Sequence, residues 1–216
     1  TEGGTSTYSL NELPITFQAS DLLVRPLVYF QERSMADYRI SNVRNPEPDD
    51  LLKGIWLMLY RPEQIPPHLI LVIDGEYFSL SVNGLKSREH ISSLIRNALA
   101  KQHSILAIKV KFTGVPAQLQ SEADGLFKKY SSPEEGITTC LYPIRDFFAN
   151  HVSQDLKQAE FVFELYEKLN ASGKTGKAIH YNLNHLLEGE QCFLLRTYTR
   201  SDIDQCIREL KNKPSA

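Results

Sequence analysis

Residues 68–84 read HLILVIDGEYFSLSVNG. Leu69 to Ile73 is a short, continuous apolar run, and Asp74-Gly75 follows it. That dipeptide is a strong hairpin signal, because a type I′ turn needs positive φ at both central residues. Beyond the turn, Phe78, Leu80 and Val82 alternate with Tyr77, Ser79, Ser81 and Asn83. A period of two describes a strand with one apolar and one polar face. The stretch predicts a β-hairpin, closed at its far end by Asn83-Gly84.

Upstream, Leu51 to Tyr60 (LLKGIWLMLY) is apolar enough to be buried, and RPEQIPP at 61–67 breaks it. NPEPDD at 45–50 reads as a loop. Leu22 to Phe30 is another apolar run, but Pro26 inside it favours an edge strand. Thr1 to Ser9 is small and polar and reads as the start of a flexible tail covering residues 1–20. It has neither the basic start nor the apolar core of a signal peptide.

Downstream, Ser87 is placed to cap a helix running to about Lys101, with Ile91, Leu94, Ile95, Ala98 and Leu99 on one face. Ser104 to Phe112 alternates as a third strand. Ala117 to Tyr130 forms a weaker amphipathic helix. Thr139 caps a helix beginning at Cys140, where Pro143 fits the first turn. A further helix is expected over Asp155 to Leu169, and a strand over Cys192 to Tyr198. Ser201 with Asp204 resembles a capping box for a last helix reaching Lys211. The expected class is α+β, an antiparallel sheet packed on one side by helices. Residues 21–216 make a single domain, with 51–150 as its chemical core and 151–216 completing the sheet or forming a lid.

Composition narrows the function classes. The chain has 216 residues, 42% of them hydrophobic and 23% charged, so no disulfide or metal staple is needed for stability. Basic and acidic residues number 24 and 26, which leaves no excess of positive charge for a nucleic acid partner. No apolar run has the length of a membrane span. Cys140, Cys192 and Cys206 are an odd set without a Cys-x-x-Cys pair, which argues against a disulfide framework and a cysteine zinc site.

The chemistry centres on two residues. Cys140 opens a helix, where exposed N–H groups and the macrodipole favour a thiolate. His68 starts a strand directly after Pro66-Pro67, and a histidine at a sheet end can present its ring to a helix start. A polar residue of the next strand, Ser79, Ser81 or Asn83, can fix its tautomer. A base beside a thiol, held by a third group, is the arrangement that activates a nucleophile. Taken singly, a packed core cysteine and a half-exposed loop histidine are the commoner fates of such residues.

These residues resemble the circularly permuted papain-like superfamily, which includes cell-wall peptidase relatives, amidases and lecithin–retinol acyltransferase-like proteins. The matching pieces are the strand from His68, then Tyr77 to Asn83, then Thr138-Thr139-Cys140 with Leu141 and Ile144. They cover about Leu51 to Asn150, less than half the chain. The resemblance implies thiol-dependent hydrolysis or acyl transfer on an amide, isopeptide or ester. It also implies a peptide or protein substrate, an oxyanion site at the Cys140 N–H, and no metal or organic cofactor. The third position departs from the pattern, since no Asp or His follows on the strand after His68. The rival readings are a non-catalytic peptide- or protein-binding module on the same fold, and an accessory domain whose cysteines are core.

Two other motifs point elsewhere. ASGKTGK at 171–177 evokes a phosphate loop, but Lys168 stands where that loop needs its first glycine. A helix C-terminal cap and a basic loop explain it better. His180 and His185 are five apart, out of phase for one metal ion on a helix face. Lys109 and Lys111 read as a solvated strand face.

Overall fold

The hairpin is where the sequence puts it. The computed structural model describes residues 38–130, 132–189 and 191–212, all within one compact unit, Met35–Ala216. The expected tail at 1–20 and the strand at Leu22 to Phe30 lie outside the described residues. In chain order the strands are β1 (Tyr38–Ile40), β2 (Val43–Arg44), β3 (Ile55–Tyr60), β4 (His68–Ile73), β5 (Glu76–Ser81), β6 (Gly84–His90), β7 (Ile105–Val110), β8 (Thr175–Tyr181) and β9 (Phe193–Leu195). The helices are α1 (Ile91–Ala100), α2 (Pro116–Phe127), α3 (Leu141–His151), α4 (Val162–Ala171) and α5 (Arg200–Lys211).

Seven strands form one sheet in the order β2-β8-β7-β3-β4-β5-β6, and β1 pairs with β9 apart from it. All pairings in the large sheet are antiparallel except β2 with β8. The β4–β5 turn has φ of 43° at Asp74 and 82° at Gly75, both positive as the turn type demands. Leu57, Leu59, Leu69, Leu71, Phe78 and Leu80 face one core, shared with α2 to α5. Trp56, Met58, Ile70, Val72 and Tyr77 face a second core under α1. The expected helical layer is therefore joined by α1 on the opposite face of the sheet.

Local details differ from the expected elements. Residues 84–90 form strand β6 rather than the first turn of a helix, because Asn83-Gly84 reverses the chain instead of ending the sheet. Its charged side chains suit an exposed edge. The cap of α1 is then His90, whose Nδ1 accepts the Ser92 N–H. The helix expected over Asp155 to Leu169 is split into a 3₁₀ turn at Gln154–Gln158 and α4. The start of α5 is capped by Thr199 with Asp202, two residues before the expected box. After α4 the Gly173 N–H donates to Asn170 O and the Lys174 N–H to Leu169 O. This is a Schellman cap with φ of 68° at Gly173, so the phosphate-loop look-alike is a helix end. The chain then enters β8, a strand where the sequence suggested only a basic loop. Lys109 is not simply solvated, since its ammonium lies 5.5 Å from the Trp56 ring centroid.

Candidate functional site

β4 and β5 are paired from Ile73↔Glu76 to Leu71↔Phe78. Beyond that point the strands lead toward a cavity of about 580 Å³ at the end of the sheet. His68, at the first position of β4, and Cys140, immediately before α3, both line it. Alternation along β4 sets the His68 side chain with Ile70 and Val72, on the α1 side. Cys140 comes in from the α3 side. Among the described residues no hydrogen bond joins the thiol to the imidazole; what they share is the cavity.

His68 is held by the neighbouring strand. Its Nε2 lies 2.7 Å from Ser79 Oγ, and Ser79 is only 4% exposed. Of the three candidates for the third position, Ser79 is the one in contact. Ser81 donates instead to Gly84 O, and the Asn83 N–H donates back to Ser81 Oγ, so both serve the β5–β6 turn. With Nε2 on Ser79, Nδ1 is the ring nitrogen left to act. Burial pulls the imidazole down to about 4, so it is neutral near pH 7, with a free lone pair but weakened as a base.

Cys140 differs from the expectation of a stabilised thiolate. It stands at the N-cap of α3 but makes no capping hydrogen bond, and Thr139 Oγ1 accepts the Leu141 N–H in its place. Burial raises the thiol to about 11, opposed by hydrogen bonds from the Leu69 and Cys140 backbone N–H groups. Desolvation therefore outweighs the helix start, and the resting pair is a thiol and a neutral imidazole. Pro143 is buried in the first turn of α3, as its missing N–H allows.

A further wall of the cavity is α5, from the segment expected to complete the sheet or form a lid. Ile203, Cys206, Ile207 and Leu210 of this helix line it together with Ile65, Leu80 and Val82. Its signal was present as apolar residues at i, i+4 and i+7. The neighbouring Cys206 also helps to raise the Cys140 thiol. Of the other histidines, His103 meets Tyr60, His151 meets Glu122, His90 caps α1, and His180 is buried on β8. Among the described residues no group of three or more His, Cys, Asp and Glu is placed to hold a metal ion. No described helix is long and apolar enough to cross a membrane. Comparison with family models, curated proteins and solved structures finds no match for this chain.

Proposed function

We propose that the protein is a thiol-dependent hydrolase or acyltransferase of permuted papain-like type, acting on an amide, isopeptide or ester. The observation that carries this reading is the common cavity of Cys140 and His68, with Ser79 anchoring the far ring nitrogen. In the reaction, His68 Nδ1 takes the thiol proton as the sulfur attacks the carbonyl carbon. The C–S bond forms, and the carbonyl electron pair moves to oxygen beside the Cys140 N–H. Collapse expels the amine or alcohol, which leaves with the proton held by His68. Water or an acceptor amine then attacks the acyl-enzyme, with His68 again as base. Because both groups rest neutral, proton transfer accompanies attack rather than preceding it. The step requires the His68 ring to turn at the head of β4 from the α1 side, where Ser79 holds it, to the α3 side, where the sulfur lies.

A second reading has its own observation. A thiol raised to about 11 and without a hydrogen bond to His68 suits a binding module that keeps the fold without the chemistry. The two separate on reaction with p-nitrophenyl acetate. An acyl-transfer site releases a burst of one nitrophenolate per chain, places the acetyl group on Cys140, and slows about 10²-fold or more in His68→Ala. A binding module acetylates Cys140, Cys192 and Cys206 slowly and without regard to His68.

A further inference from the structure

The cavity carries charge of one sign. Its charged lining residues are Asp202 and Glu209, both on α5, and no Lys or Arg lines it among the described residues. Asp202 is held in the carboxylate form by the Thr199 N–H and hydroxyl, which keep it below the usual carboxylate range. Glu209 accepts a hydrogen bond from Gln205 and stays on the rim. Seven helical positions separate the two acids, about 10.5 Å along the axis. Between them the same helix presents Ile203 and Ile207. Ile65 and Leu210 stand at the mouth, 43% and 41% exposed.

A peptide in the polyproline II conformation advances about 3.1 Å per residue with three residues per turn, so side chains three apart share a face about 9.3 Å from one another, close to the spacing of the two carboxylates. We infer that this groove binds a peptide in the polyproline II conformation with two bulky apolar residues between two basic ones, the basic side chains on Asp202 and Glu209. This names the substrate class of the site proposed above and rests on that reading. An anionic peptide meets two carboxylates with no cation to offset them. A polar one leaves the Ile203, Ile207 and Leu210 wall uncovered by anything apolar.

The test uses the full chain with Cys140→Ala, so that binding is read without turnover. The probes are fluorescein-labelled peptides carrying two leucines between two lysines, the same with glutamates for the lysines, and the same with serines for the leucines. The lysine–leucine peptide should bind about tenfold tighter than either control, by fluorescence anisotropy, and its lead over the glutamate peptide should shrink as salt rises. Glu209→Lys, an exposed change, should cut the preference for lysine over glutamate at least threefold. Equal binding of the three peptides, an unchanged preference in Glu209→Lys, or no binding at millimolar peptide overturns the inference. So does self-association of the chain through α5, seen by sedimentation, without peptide binding. A lost peptide preference with an intact Cys140 burst leaves the acyl-transfer reading standing; a lost burst with the preference intact removes the chemistry and keeps the groove.

Discussion

Replacing His68 by glutamine removes one titrating group and leaves a polar side chain facing Ser79. Burial holds the imidazole at about 4, against an ordinary 6.5. Between those values the folded chain binds fewer protons at this position than the unfolded chain does. The stability tied to a neutral His68 is therefore complete above pH 6.5, is lost progressively as the pH falls from 6.5 to 4, and is gone below that. At about 1.36 kcal/mol per pH unit, the loss by about pH 4.5 amounts to roughly 2.5 kcal/mol. Contact of the half-buried ring with the open cavity brings this to roughly 2 kcal/mol. Urea unfolding at pH 7.5 and at pH 4.5 measures it. Wild-type stability should fall by about 2 kcal/mol more than that of His68→Gln, because every other titrating group is common to both proteins. Parallel losses, within about 0.5 kcal/mol of each other, would refute the placement of a desolvated imidazole at the head of β4.

Phe127 is fully buried with its ring centroid 5.8 Å from that of Phe78, so Phe127→Ala should cost about 3–5 kcal/mol in urea unfolding. Thr199→Ala removes the cap of α5 and should cost about 1 kcal/mol, with hydrogen exchange quickening first in that helix. Ser79→Ala leaves His68 Nε2 without its partner; a loss of about 1–2 kcal/mol is expected, together with a change in ring tautomer visible in nitrogen NMR.

Legibility followed the strength of local signals. Asp74-Gly75 between two patterned runs fixed β4 and β5, and the apolar runs at 51–60 and 104–112 marked β3 and β7, the strands buried between neighbours. β6 and β8 were hidden because their residues, GLKSREH and TGKAIHY, are charged or small. Long-range pairing, rather than local pattern, makes them strands. His68 and Cys140 were identifiable because proline and threonine mark a strand start and a helix start. Which of Ser79, Ser81 and Asn83 meets His68 was not legible, since a tight β5–β6 turn claims the latter two. The charge state of Cys140 was misjudged for a similar reason: the helix start is local, whereas burial comes from α5 and the rest of the fold.

The pH dependence of Cys140 acylation by p-nitrophenyl acetate, followed from about pH 5 to pH 9, tests the role of His68 most directly. A neutral imidazole taking the proton of a neutral thiol predicts a rate nearly flat across that range, falling only below about pH 5 as His68 becomes protonated. A rate that climbs about tenfold with each pH unit would show a free thiolate reacting unaided, and would contradict the account.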